Sequence, residues 1–237
     1  MAEVGAGNDA FGSVFVSAPD GLRLHARSYG SRLAPNLPVV CLPGLARSSA
    51  DFDTLARALA DDPQAPRHVI AVDYRGRGQS EYDRDPRNYT LATELADLLA
   101  VLTALEVPPA VFVGTSRGGI LTMMLAGARP AAIAGAVFND IGPAIEPEGL
   151  VRIKSYIGKL PRPASYEEGA EILRRLFGGQ FTKLSDDDWL GFSRSTFEVK
   201  QRSLGPVYDV RLAKTLEGID VHRRLPPLER FTVFLNR

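Results

Sequence analysis

Cysteine occurs once and histidine only three times in the 237 residues. The single thiol, Cys41, excludes an internal disulfide and fits a reducing compartment, so a cytoplasmic protein is expected. A surplus of either charge is also missing: Lys plus Arg is 28 and Asp plus Glu is 28, for a formal net charge of zero. That balance argues against a nucleic-acid or membrane-surface partner. No apolar run approaches the ~20 residues of a membrane span. Met1 to Asn8 lacks the basic-then-apolar pattern of a secretory leader. Internal repeats and low-complexity tracts are absent too. What is present is ordinary globular composition, 45% apolar and 24% charged, in a chain long enough for one domain with a sizeable core and an inserted lobe.

The first half alternates strand and helix patterns. Ser13–Ser17 and Leu22–Ser28 flank Asp20-Gly21, a hairpin signal. Pro38–Leu42 and His68–Val72 are short apolar runs that predict buried strands, and Ala110–Val113 and Ile133–Phe138 predict two further strands. Ser49 is expected to cap a helix with Phe52, Leu55 and Leu59 on one face. Thr90 is expected to open a longer helix carrying Leu91, Leu95, Leu98, Leu102 and Leu105. This alternation predicts an α/β fold with a mostly parallel sheet covered on both faces. In such sheets ligands gather at the carboxyl ends of the strands.

One of those ends carries Gly114-Thr115-Ser116-Arg117-Gly118, between the apolar run Val111–Val113 and the helix-like Ile120–Ala126. A strand, a sharp turn with serine at its apex and a helix form a nucleophile elbow. A serine hydroxyl is a weak nucleophile and needs a base to take its proton. The turn strains the backbone at the serine and brings flanking residues close, which is why glycine is wanted at 114 and 118. The helix start offers free N–H groups to a developing oxyanion. Two further loops follow strands: Pro43-Gly44-Leu45, and Asp73-Tyr74-Arg75-Gly76-Arg77-Gly78-Gln79-Ser80. The second does not have phosphate-loop spacing, and Gly-x-Gly-x-x-Gly is missing after the first buried strand.

From about Ile145 the pattern changes to short amphipathic segments split by proline and glycine. Leu150, Ile153, Ile157 and Leu160 share a face. Ser165 with Glu168 predicts a capping box, and Gly178-Gly179 a helix end. Ser185 with Asp186-Asp187-Asp188 predicts another helix start, a better reading of that acidic run than metal binding. These helices are expected to form a lid over the sheet edge. The expected division is a core over 1–144, a helical lid over 145–220 and a return toward the core over 221–237.

The three loops, in this order and each at a strand end, resemble the α/β-hydrolase superfamily, with small bacterial lipase-, esterase- and lactonase-like members nearest. The resemblance covers Ser13 to Asp140 well and the lid loosely; Pro43 stands where many members have histidine. It implies a serine hydrolase of small carboxylic esters or lactones, acting through an acyl-enzyme on Ser116, with backbone N–H groups of Leu45 and Arg117 as the oxyanion hole. It implies no metal and no organic cofactor. A carbon–carbon bond hydrolase or a cofactor-free haloperoxidase would use the same residues. So would a catalytically impaired or ligand-binding relative.

The superfamily order is serine, acid, histidine. Of the histidines, His25 and His68 precede Ser116 and are expected to be structural or exposed, and only His222 follows, in a polar stretch that suggests surface. Asp140, just past its strand, is the best acid. Phe231–Leu235 would begin a penultimate strand, so the sequence is expected to lack the C-terminal strands and the catalytic histidine. An open sheet edge of that kind would favour a homodimer.

Overall fold

The computed structural model describes residues 3–5, 11–142, 147–200 and 203–217. Seven strands form one sheet: β1 Glu3–Gly5, β2 Gly12–Ser17, β3 Arg23–Tyr29, β4 Val39–Leu42, β5 Val69–Asp73, β6 Ala110–Thr115 and β7 Ile133–Asn139. Their order is β1-β2-β3-β5-β4-β6-β7. The pairs β5–β4, β4–β6 and β6–β7 are parallel, while β1, β2 and β3 join through antiparallel pairs. The expected α/β sheet is therefore present, mostly parallel, with an antiparallel hairpin flank. Gly21, at φ +86°, makes the turn between β2 and β3.

Of the apolar runs, β5, β4 and β6 become interior strands, with β4 and β5 buried along their whole length, while β7 ends the sheet among the described residues with Val137 51% exposed. On β4, Val40 and Leu42 pack toward Leu98, Val101 and Leu102 of α2 (Leu91–Ala104) and Leu121 and Leu125 of α3 (Arg117–Ala128). Val39 and Cys41 pack toward Phe52 and Ala56, at the start of α1 (Asp53–Ala60) and within it. Alternation along one strand thus feeds two cores. Thr90 caps α2 through its side chain, as its position predicts.

Several local expectations need correction. The side chain that caps the turn before α1 is Ser48, not Ser49; the Ser49 N–H is already taken by Asp73 Oδ1 at 2.6 Å. Leu55 is 40% exposed, because the buried row of that segment runs through Phe52, Ala56 and Leu59. Ser165 does cap α5 (Tyr166–Phe177), but the Glu168 carboxylate accepts from the Ala164 N–H at 2.6 Å rather than closing a box on Ser165.

Beyond β7, α4 (Pro147–Tyr156), α5 and α6 (Asp186–Thr196) are followed by an unanticipated hairpin, β8 (Phe197–Lys200) with β9 (Ser203–Pro206). Ser185 and Asp188 form the capping box of α6. Leu173, Trp189, Phe197 and Leu204 make a separate small core in this segment. His222 and Phe231–Leu235 lie outside the described residues. None of the described helices is long and apolar enough to cross a membrane.

Candidate functional site

The order of β5, β4 and β6 creates a switch point: the chain leaves β4 toward β5 on one side and comes back at β6 on the other. Parallel register pairs Leu42 with Gly114 and Thr115 with Asn139. The residues just past those three strand ends are therefore neighbours: Pro43-Gly44-Leu45, Ser116 and Asp140. A Cβ built on Gly44 would lie 4.0 Å from the Ser116 Cβ.

Ser116 sits between β6 and α3 at φ 50° and ψ −110°, a conformation that L-residues rarely adopt. Its N–H donates to the Asn139 carbonyl at 2.9 Å, and its own carbonyl accepts from Gly119 N–H at 2.9 Å. The flanking glycines are required by contact. A Cβ on Gly118 would meet the Leu42 carbonyl oxygen at 2.0 Å, and one on Gly114 would meet the Gly119 nitrogen at 2.6 Å. The backbone N–H groups of Arg117 and Gly118 open α3 and have no intrahelical acceptor.

Ser116 and Asp140 open onto one cavity of about 1030 Å³, which Gly44, Leu45 and Arg47 also line. Its other wall is the helical segment: Ile153, Tyr156, Ile157, Leu160, Leu173, Phe177 and Phe192. The wall is mixed rather than uniformly apolar: Arg152, Gln180, Asp187, Asp188 and Arg194 line the cavity beside these apolar side chains. Tyr156 packs edge-on against Phe177 at 5.1 Å. Burial raises the Tyr156 phenol above its ordinary pKa, although Arg47 opposes the shift.

Asp140 is exposed, with φ +53°, so the structure brings it to the cavity beside Ser116 through a left-handed bend at the end of β7. The two described histidines are engaged elsewhere. His25 is fully buried, with Nδ1 2.7 Å from Asp73 Oδ2 and Nε2 3.2 Å from Ser13 Oγ. His68 has Nε2 2.8 Å from Ser28 Oγ, and burial lowers its pKa. Among the described residues no histidine lines the cavity. No cluster of three metal-ligating side chains occurs among them either.

Two features were not legible in the sequence. Arg47 ties the loop after β4 to the helical segment: it bonds Thr196 Oγ1 at 2.6 Å and Ser195 Oγ at 2.8 Å, pairs with Asp51, and lies 4.7 Å over the Phe192 ring. Its partners are far along the chain, and only its place beside Gly44-Leu45 hinted at a role. The second is the loop after β5. Gly76 and Gly78 take φ +72° and +52°, and the loop turns Arg75 and Arg77 inward until they are 1% and 0% exposed. Arg75 meets Asp20, Asp83 and Asp97 at 2.6–2.8 Å. Arg77 meets Glu94 at 2.8 Å, and Glu94 also holds Arg117 at 2.5 Å.

A serine on a strained strand–helix turn, opening onto a cavity walled by helices at the switch point of a mostly parallel sheet, defines a class. Residues 39–234 match the Alpha/beta hydrolase family, and the chain belongs to it. It is 32% identical over 179 residues to a 3-hydroxybutyrate-oligomer hydrolase of Cupriavidus necator, covering 75% of this chain and 59% of that one. It is 36% identical over 109 residues to the esterase YbfF of Escherichia coli, covering 46% and 40%. The chain thus spans about half the length of these two relatives. A crystal structure of an alpha/beta hydrolase from Novosphingobium aromaticivorans superposes with a TM-score of 0.87 at 33% identity, over 97% of this chain and 79% of that chain.

Proposed function

We propose that this protein hydrolyses small carboxylic esters through an acyl-enzyme on Ser116. The observation that carries the proposal is the backbone of Ser116, strained at φ 50° and ψ −110° at the mouth of the cavity. Strain of this kind is maintained where function needs it.

In the proposed reaction Ser116 Oγ attacks the ester carbonyl carbon as a base takes its proton. The carbonyl oxygen becomes an oxyanion, held by the N–H groups of Leu45 and Arg117. Collapse expels the alkoxide, which leaves as the alcohol after receiving the proton. Water then attacks the acyl-serine and releases the acid. Asp140 is assigned to orient the base and to balance its positive charge. The segment 145–220 is assigned as a lid that excludes water and offers apolar side chains such as Ile153, Phe177 and Phe192 to the acyl or alkyl group. The likeness to a 3-hydroxybutyrate-oligomer hydrolase of Cupriavidus and an esterase of Escherichia supports a short acyl or hydroxyacyl ester.

Turnover of p-nitrophenyl butyrate tests this. Wild type should exceed Ser116→Ala by at least ~10³-fold, the scale of losing a triad nucleophile. Equal rates for the two proteins would refute it.

A further inference from the structure

We propose that Glu94 is a positioning residue that sets the spacing of the two oxyanion-binding amides, holding Arg77 with one carboxylate oxygen and Arg117 with the other. This rests on the assignment of the Leu45 and Arg117 N–H groups made above. Those two residues come from different loops, after β4 and β6, and nothing in the sheet ladder fixes their amides to each other. The link runs underneath. Glu94, in the first turn of α2, is 0% exposed. Its Oε2 accepts from Arg117 Nε at 2.5 Å, and its Oε1 lies 2.8 Å from Arg77 Nη1, an ion pair without hydrogen-bond geometry. Arg77 in turn donates through Nε to the Leu45 carbonyl at 2.9 Å. A single buried carboxylate therefore connects the residue before the α1 turn to the residue that opens α3.

The local geometry makes that connection matter. The Gly44 carbonyl accepts from Arg47 N–H at 3.3 Å. Because the peptide is planar and trans, the Leu45 N–H points the opposite way, out of the turn. The next carbonyl, that of Leu45, is the one Arg77 grips, so both peptides around Leu45 are fixed. Arg117 is anchored at a second point, where its guanidinium donates to the Tyr89 carbonyl at 3.3 Å. Arg77 lies 5.6 Å from both the Tyr74 and Tyr89 rings, and its own guanidinium also donates to the Arg75 carbonyl at 2.7 Å. Two guanidiniums on one carboxylate leave one positive charge beneath the site, screened from water, where a developing oxyanion would feel it.

The test measures p-nitrophenyl butyrate kinetics and inhibition by an alkyl trifluoromethyl ketone, whose serine adduct presents an oxyanion. Glu94→Gln keeps the shape and removes the charge. Arg117→Met keeps the backbone N–H and releases it from Glu94. Both should lower kcat at least tenfold with KM changed less than twofold. Both should weaken the ketone at least tenfold while leaving binding of butyrate, the acid product, within twofold. Circular dichroism establishes folding; should Glu94→Gln not fold, Arg117→Met decides the question. A folded variant with kcat and ketone affinity within twofold of wild type overturns the proposal. A wild type no faster than Ser116→Ala would instead overturn the assignment beneath it, and this proposal with it.

Discussion

Replacing Ser116 by glycine should make the protein more stable than replacing it by alanine. Ser116 holds φ 50° and ψ −110°. A residue with a Cβ in such a sparsely populated region costs of order 1–3 kcal/mol. Glycine adopts it freely but gives up about 0.5–1 kcal/mol through its more flexible unfolded chain. Alanine removes the same hydroxyl yet keeps the Cβ, so the comparison cancels everything but backbone strain. The N–H bond to Asn139 at 2.9 Å is backbone and survives in both variants. At the middle of both ranges the difference left is about 1 kcal/mol in favour of glycine. For a chain of this size that is roughly 2–4 °C in Tm, at about 2–4 °C per kcal/mol. Scanning calorimetry of the two variants side by side is the assay. A Ser116→Gly Tm at or below that of Ser116→Ala would mean that the turn is not strained at this residue, and the argument from backbone geometry would fail.

The other predictions concern what supports the turn. Gly118→Ala places a methyl 2.0 Å from the Leu42 carbonyl oxygen; overpacking between a strand and a helix should cost about 1–3 kcal/mol in urea unfolding and lower esterase turnover, and an unchanged midpoint would contradict the contact. Arg75→Ala leaves Asp97 and Asp83 buried without their cation. It should cost about 3–5 kcal/mol at pH 7, and less in mild acid, because burial already raises the Asp97 pKa and protonation relieves the charge. Burial alone would raise the Asp209 pKa, but hydrogen bonds from Arg211 and Tyr89 outweigh it and lower it. A depressed folded-state pKa gives stability that is full above the unfolded value of about 3.9 and is lost as pH falls through the folded value. Asp209→Asn should therefore weaken the protein at pH 7 and flatten its acid limb below about pH 4 in urea titrations at several pH values; parallel acid limbs would refute that.

The sheet was legible in the sequence because short apolar runs alternate with helix patterns, and Ser116 because its glycines and flanks state the turn outright. Asp140 was legible as the residue after a strand end; the register of β6 with β7 is what carries it to the cavity beside Ser116. The inward-facing arginines were not legible. Arg75 and Arg77 stand in a polar loop, and their burial depends on Asp97 and Glu94, supplied by a helix that begins well after the loop ends. Ser48 and Ser49 are equivalent as local caps, and the turn begins one residue earlier than expected, with the Ser48 side chain accepting from the Ala50 N–H. The β8–β9 hairpin escaped because β9 is Ser-Leu-Gly-Pro, a sequence with weak strand preference that is held by packing of Phe197 and Leu204 on α5 and α6. Arg47 is the same case: its bonds to Ser195 and Thr196 join parts of the chain that local patterns treat separately.

The most direct measurement on the central claim is covalent capture of the serine. The protein is treated with an alkyl fluorophosphonate, its intact mass is recorded, and the modified peptide is sequenced by mass spectrometry. A single adduct on Ser116, absent from Ser116→Ala, is the predicted result. An unmodified wild type, or an adduct on another residue that persists in Ser116→Ala, would contradict the account.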